Sequence, residues 1–306
     1  MSSDNVLVSI CCITYNHAGY IRQCLDGFIM QKTDFTFEVL IHDDASTDGT
    51  TEIIKEYESK FPEVIKPLYE QENQWVKGRR GSIVFNYPRA KGKYIAMCEG
   101  DDYWTDPHKL QKQVSFLENN PDYCACYTKA YVFNENLSSL ENYTIGVGYI
   151  SFENLLLNNT IPTLTMVYDR AIFARYLAEV QPRSHGWKMG DYPIWLYFAA
   201  NSKIKFIDDI TATYRVTVGS SSRPHNIEAR VSFLKSTADI QRYFAKYSQE
   251  EIIPYINCQL DYNILNLYIV NRNFNEAVAY LTSTTNIPFC KKMIYWFKIL
   301  LVKIIK

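Results

Sequence analysis

Two groups of carboxylates could do chemistry in this chain: Asp43 and Asp44 in FEVLIHDDASTDGT, and Glu99, Asp101 and Asp102 in YIAMCEGDDYW. Adjacent acids repel, so such a group needs bound donors or a counter-cation to hold it. Oxygen ligands of this kind suit Mg2+ or Mn2+, above all where a phosphate supplies further oxygens. The competing role for any single Asp is a helix cap, in which the carboxylate accepts backbone N–H groups. Both acidic groups directly follow strand-like runs, and so does TYN at 14–16, which carries Tyr15.

The elements that must position these residues alternate along the first 130 positions. Residues 6–13 (VLVSICCI) form a continuous apolar run, as a buried parallel strand does. Residues 20–31 have helical spacing, with Ile21, Cys24, Leu25 and Phe28 on one face. Strand 37–42 stops at a cluster of turn and cap residues. The helix TTEIIKEYESKF follows, with Asp48 or Thr50 as N-cap and Pro62 at its end. Residues 64–69 read as a short edge strand because of Pro67. Residues 79–90 read as a helix cut short by Pro88, and GKYIAMCEG as the next strand. Residues 108–119 form a helix with Leu110, Val114 and Leu117 on one side, with Pro107 in its first turn. YCACYTKAYVF is a further strand. Strand–helix alternation with short links predicts an α/β fold around a mainly parallel sheet. Ligands in such sheets sit at the carboxyl ends of the strands, so the three polar clusters are expected to converge on one crevice.

The second half is less regular. It reads as a short helix at 150–160, a strand TLTMVYD, a helix at 170–178 and an aromatic helix in GWKMGDYPIWLYFAA. Two strands, KIKFIDD and ATYRV, then lead to a polar loop, and the pattern is helical from 226 onward. The pattern changes near 130 and 225 divide the chain into 1–130, 131–225 and 226–306.

Composition removes several classes. The 306 residues are 47% hydrophobic, enough for a large core, and 32 Lys+Arg balance 33 Asp+Glu. That balance gives no basic footprint for nucleic acid. The eight cysteines make no CxxC pair and read as buried free thiols of a reducing compartment. The start MSSDNVLVSICCI has no basic n-region, and no uninterrupted apolar run of about 18 residues follows anywhere. There is no GxGxxG after the first strand, no GxxxxGK[ST], no HExxH and no GxSxG, which argues against dinucleotide, P-loop, zinc-hydrolase and serine-hydrolase chemistry.

Four segments, in this order, carry a family resemblance: VSICCITYNHAGYIRQCLDGFIMQ at 8–31, FEVLIHDDASTDGT at 37–50, AKGKYIAMCEGDDYWTDPHKLQKQ at 90–113 and GWKMGDYPIWLYFA at 186–199. With them the chain resembles the family 2 glycosyltransferases, inverting nucleotide-sugar enzymes of the GT-A fold, and in particular those that build bacterial surface polysaccharides. The resemblance implies a Rossmann-like α/β/α sandwich with a helical C-terminal extension. Residues 1–130 would be the nucleotide-sugar half and 131–225 the acceptor half. It also implies a UDP-sugar donor, Mn2+ or Mg2+ on the diphosphate, and a glycan or polyprenyl-linked acceptor.

By the same resemblance, Tyr15 stacks near the base and Asp44 accepts the N3–H of uracil, while Asp43 either joins it or holds its own loop. Asp101 and Asp102 occupy the DxD-like position, with Asp101 toward the ribose and Asp102 as the metal ligand. Glu99 takes the first acidic place, facing the ribose or a water. Arg79 is placed to counter phosphate charge, with a solvated helix start as the alternative. Asp191 is the candidate general base for the acceptor hydroxyl, with a cap on the following helix as the alternative. Trp187 is a candidate sugar wall. Relatives often carry a His in the loop after YR. Here Thr217 stands in that place, and His225 or Arg223 could stand in for it.

The tail FCKKMIYWFKILLVKIIK reads as a basic amphipathic helix, suited either to a membrane interface or to docking on the domain. The implied location is cytoplasmic, peripheral on the inner membrane face. Nothing in the sequence fixes an oligomeric state. Two rival readings are a sugar-phosphate nucleotidyltransferase, which would show a Gly-rich basic loop where CITYNHAGY stands, and a non-catalytic nucleotide-sugar-binding protein of the same fold.

Overall fold

The first apolar run forms β1 (Val6–Thr14), and helix α1 (Ile21–Ile29) buries Ile21, Cys24, Leu25 and Phe28. The computed structural model describes residues 6–78, 81–217 and 226–304. β2 (Thr36–Asp43), α2 (Thr50–Lys60) and β3 (Ile65–Tyr69) follow. A single helical turn α3 (Ser82–Phe85), continued by a 3-10 turn at Tyr87–Arg89, occupies the stretch that Pro88 was expected to shorten. Then come β4 (Tyr94–Met97), β5 (Tyr103–Trp104), α4 (Lys109–Asn119), β6 (Tyr123–Asn134) and β7 (Ser139–Ile145). The second half holds α5 (Phe152–Leu157), β8 (Val167–Asp169), α6 (Arg170–Val180), α7 (Tyr192–Asn201) and β9 (Lys203–Val216). Four helices end the chain: α8 (Ile227–Phe244), α9 (Ile253–Val270), α10 (Phe274–Ser283) and α11 (Phe289–Ile304).

The chain divides into two units. The first comprises Met1–Tyr149, Thr160–Gln181 and Tyr197–Val218, and the second Ile150–Asn159, Pro182–Leu196 and Gly219–Lys306.

In the first unit the described strands make one sheet in the order β3-β2-β1-β4-β8-β6-β9-β5, with β7 on β6. The β3-β2-β1-β4 part is parallel throughout. Beyond β4 the sheet becomes mixed, since β8 runs antiparallel to β4 and to β6 while β6 and β9 are parallel. β1 lies between β2 and β4, with Val8, Ile10 and Cys12 fully buried, which explains its unbroken apolar run. Thr14 pairs with Asp43, so β1 and β2 end level. Pro67 sits in the edge strand β3, where no outer partner needs its missing N–H.

Several local expectations are corrected. KIKFIDD and ATYRV form one strand of 14 residues, β9, because irregular register against β6 between Tyr127 and Ala130 absorbs the acidic pair Asp208–Asp209. β5 and β7 had no sequence signal. α2 has Gly49 (φ 102°) at its N-cap. Asp48 instead accepts the Thr50 N–H (3.1 Å) and hydroxyl (2.6 Å) with one oxygen and the Ala18 N–H (2.9 Å) with the other.

The second unit is helical. Its cores gather Leu265, Ile269, Ala277, Leu281, Ile287 and Ile299 in one cluster and Val231, Ile264 and Leu267 in another. Tyr295 and Trp296 of α11 pack against the first cluster, while Met293 and Ile294 are exposed. Among the described residues no helix is long and apolar enough to cross a membrane.

One core residue in the first unit breaks the apolar rule. Lys109, on the buried face of α4, is fully buried. Its ammonium donates to Gln113 Oε1 (2.6 Å) and the Thr165 carbonyl (3.3 Å) and lies 4.3 Å from the centre of the Trp104 ring. Burial pushes its pKa down to about 7. The unfolded chain, with an ordinary Lys near 10.4, binds more protons than the fold between about pH 7 and 10, so this group adds stability as pH rises through that window. We expect the stability of the parent minus that of Lys109→Met to be flat below about pH 7. Between about pH 7 and 9 it should climb by up to about 1.4 kcal/mol per unit. Urea denaturation of both proteins across this range measures it; a constant difference would show a lysine charged in the folded state.

Candidate active site

The loop that leaves β1 is stitched to the loop that leaves β2 by side chains standing in for backbone partners. Asn16 donates its N–H to Ser46 Oγ (2.9 Å), and its side-chain oxygen accepts the Thr47 N–H (2.8 Å). His17 donates its N–H to Thr50 Oγ1 (2.8 Å). Asn16 (φ 54°) and Ala45 (φ 62°) both take the left-handed conformation, a strained state for Ala that these bonds hold. Tyr15, at the tip, is 45% exposed.

The acids of the β2 end are buried and occupied. Asp43 accepts the Ser46 N–H (3.2 Å) and the Thr51 hydroxyl, which fixes its own loop. Asp44 accepts the Gln74 N–H (2.6 Å) with one oxygen and the Trp75 N–H (3.1 Å) with the other. Asp44 thus anchors the segment after β3, a role the sequence did not suggest. A depression of about 380 Å³ beside Asp43 is lined by Ser46, Thr51, Lys55, Tyr69 and Glu70 among others.

The third cluster leaves β4. The Gly100 N–H donates to the Ile13 carbonyl (3.0 Å), which ties the acidic loop to β1. A Cβ at Gly100 would stand 2.7 Å from Thr14 Oγ1 and 3.0 Å from His17 Nδ1, so the position admits no side chain. Those two atoms are buried and have no hydrogen-bond partner among the described residues. Asp102, expected to hold the metal, is 4% exposed, and its Oδ1 accepts the Arg215 N–H (2.7 Å). Burial raises its pKa well above the usual carboxylate range, and the neighbouring Asp101 and Glu99 charges add to this, against the Arg215 N–H and charge. Asp101 is only half-buried and Glu99 is exposed. His17 is pushed below its ordinary value by burial, against the charges of Asp101, Asp48 and Asp43. The three clusters therefore meet at the ends of the neighbouring strands β2, β1 and β4.

A divalent cation fits this chemistry in part. Among the described residues no three Asp, Glu, His or Cys form a ligand set. One half-exposed carboxylate, Asp101, in a loop that Gly100 keeps close to β1, matches a Mg2+- or Mn2+-type site, where phosphate oxygens and water complete the shell.

In the second unit, Asp191 stands at the start of α7. Its Oδ1 accepts the Tyr192 N–H (2.8 Å), and its carbonyl accepts from Ile194 (2.9 Å) and Trp195 (3.3 Å), so it does cap the helix. Trp187 is stacked on His185 (4.2 Å between centroids, 10°) and meets Tyr243 edge-on. Arg79, Arg223 and His225 lie outside the described residues. Arg215, which the sequence reading passed over, is the residue that touches both acids of the loop.

The family model of glycosyl transferase family 2 matches residues 9–179, more than half of the chain. The chain belongs to glycosyl transferase family 2. An uncharacterized protein of Mycobacterium tuberculosis is 36% identical over 212 residues, 68% of this chain and 58% of its own length, so the chain spans little more than half of that relative. The UDP-Glc:alpha-D-GlcNAc-diphosphoundecaprenol beta-1,3-glucosyltransferase WfgD of Escherichia coli is 27% identical over 222 residues, covering 72% of this chain and 81% of its own. Among solved structures, S. aureus TarS bound to UDP-GlcNAc aligns with a TM-score of 0.58 at 18% identity, over 96% of this chain and 80% of that one. The mannosyltransferase PcManGT of Pyrobaculum calidifontis, in complex with GDP-Man and Mn2+, gives 0.54 at 15% identity, over 98% and 88%. These likenesses bear out the GT-A fold with its C-terminal helices. The family 2 glycosyltransferase match covers all three strand-end clusters and stops short of Asp191.

The anchoring role of Asp44 has a direct test. Asp44→Asn presents an amide N–H2 to one of the two N–H donors it now serves. Charge-assisted bonds of this kind are worth about 1.5–3 kcal/mol, so amide exchange over residues 73–78 should quicken by about tenfold or more with no nucleotide present. A carboxylate that only reads a base would leave that exchange unchanged.

Proposed function

We propose that this chain is an inverting glycosyltransferase that moves a sugar from a UDP-sugar to a hydroxyl of a glycan or polyprenyl-linked acceptor. The observation that carries the reading is the meeting of Tyr15, the Asp43–Asp44 loop and the Glu99–Asp102 loop at adjoining strand ends. The UDP-sugar and the diphosphoundecaprenol acceptor named for WfgD, and the UDP-GlcNAc bound by TarS, support this choice of substrates.

Tyr15 offers its exposed ring to the base. A carboxylate has about four acceptor sites, and Asp44 uses two of them on Gln74 and Trp75, which leaves capacity for the N3–H of uracil. Glu99 is the acceptor for the ribose hydroxyls. Because Asp102 is 4% exposed while Asp101 is half-buried, Asp101 is the carboxylate proposed to hold Mn2+ or Mg2+. The cation would offset charge on the departing diphosphate.

Asp191 is proposed as the base. As the acceptor oxygen bonds to the anomeric carbon, its proton passes to the Asp191 carboxylate, and the bond to the diphosphate oxygen breaks with its electron pair on the opposite face, inverting the centre. Capping and base roles are compatible, because a carboxylate has about four acceptor sites and the Tyr192 N–H takes one of them. The exposed Met293 and Ile294, with Lys291 and Lys298 on the same helix, are proposed to rest on an anionic membrane surface that carries the acceptor.

Asp101→Asn should keep the fold and lose most of the Mn2+ dependence of UDP binding in calorimetry. Asp191→Asn should keep UDP-sugar affinity while transfer falls by about 10²–10⁴-fold, the usual worth of a positioned base. Transfer by Asp191→Asn within about threefold of the parent, at matched donor occupancy, would move the base elsewhere. For the surface, Lys291→Gln with Lys298→Gln should reduce sedimentation with anionic lipid vesicles while the soluble fold is kept; equal sedimentation would remove the membrane contact.

A further inference from the structure

Arg215 is 7% exposed and uses its backbone N–H and every nitrogen of its guanidinium. Its N–H reaches Asp102 Oδ1 at 2.7 Å and its Nε reaches the Asp101 carbonyl at 2.7 Å. One terminal nitrogen pairs with the Glu135 carboxylate and the other donates to Gln23 Oε1 (2.6 Å). The rings of Tyr20, Tyr103 and Phe133 surround it, with centroids 4.8, 5.1 and 5.4 Å from its central carbon. A planar guanidinium packed between aromatic rings is held in one orientation.

We infer that Arg215 is a positioning residue for the acidic loop: it fixes Asp101 by its carbonyl and Asp102 by its carboxylate, so that the Asp101 side chain alone is presented to a divalent cation. Three features favour this over general packing. The two bonds to consecutive loop residues come from one side chain and its own backbone, so they set the loop's twist as well as its place. The guanidinium charge lies among Glu99, Asp101, Asp102 and Glu135, where it offsets repulsion that would otherwise splay the loop. Its anchors on Gln23 and Glu135 belong to α1 and the segment after β6, which frame the loop from two sides. Lysine carries the charge without the fork and cannot serve all of these partners at once.

The inference rests on the proposed function for the identity of the cation's partner, UDP, and its test has a readout independent of it. Arg215→Lys and Glu135→Gln are compared with the parent. Amide exchange of the apo proteins over residues 98–104 should quicken by about fivefold or more in Arg215→Lys, with β2 unchanged, and less in Glu135→Gln. Mn2+ affinity in the presence of UDP should fall by about tenfold in Arg215→Lys and by about threefold in Glu135→Gln. Excess Mn2+ should restore much of the turnover, since the loop is misplaced rather than lost. A residue that only packs would lower the melting temperature and leave the Mn2+ response of the folded protein as it was.

Unchanged exchange at 98–104 in Arg215→Lys, or Mn2+ affinity within about twofold of the parent in both variants, overturns the inference. If Arg215→Lys does not fold, Glu135→Gln decides it on the same two readouts. A parent that shows no Mn2+-dependent UDP binding contradicts the proposed function instead, and the exchange result still decides the role of Arg215.

Discussion

Charge repulsion at the strand ends is the constraint around which this molecule is built. Five carboxylates crowd the exits of two strands that flank β1, and burying them without donors would cost more than a domain's whole stability margin. The fold answers with backbone N–H groups: Ser46 for Asp43, Gln74 and Trp75 for Asp44, and Arg215 for Asp102. Each answer also fixes a loop. The acids Asp43, Asp44 and Asp102 are thus structural joints, and the ligand roles proposed for this cluster draw on acceptor capacity beyond those joints.

This arrangement explains why the conformational strain falls where it does. Asn16 and Ala45 adopt left-handed backbone next to one another in space, in loops pinned by Ser46, Thr47 and Thr50. Such strain persists only where the surroundings over-determine it. Gly100 completes the pattern from the β4 side, since its bare Cα rests against Thr14 and His17. Three loops are therefore interlocked by polar contacts at the strand ends.

The parallel half of the sheet was legible because its signals are local. β1 reads as an unbroken apolar run, the stripes of α1 and α4 repeat at helical spacing, and Pro67 marks an edge. Convergence of the clusters followed from the topology such alternation dictates. What escaped were pairings between distant residues. β9 looked like two strands because Asp208–Asp209 resembles a turn, and only the irregular register with β6 shows otherwise. The backbone N–H groups that reach Asp44 and Asp102, from Gln74, Trp75 and Arg215, leave no mark in the sequence around either acid. Arg215 did leave a trace, a charge in the otherwise apolar and hydroxylic ATYRV, and Lys109 another, beside the apolar stripe of α4; the partners of Arg215 lie far away in the chain, while Lys109 meets Gln113 and Trp104 close by and Thr165 farther on.

The separation of those partners has a consequence for how the protein is made. Arg215 meets Gln23 across 192 residues and Asp102 across 113. Contacts of such long range form late, because the loop-closure entropy must be overcome before they contribute. During synthesis the β1–β4 sheet can assemble on local crossovers, but the acidic loop stays without its anchor until the chain has emerged past β9. A nascent chain therefore passes through a stage in which the loops after β1 and β2 are in place while the acid Asp102 still lacks the Arg215 N–H. β9, the last described strand in chain order, brings Arg215 to the acidic loop, so that loop gains its anchor only once the chain has been made past Val216.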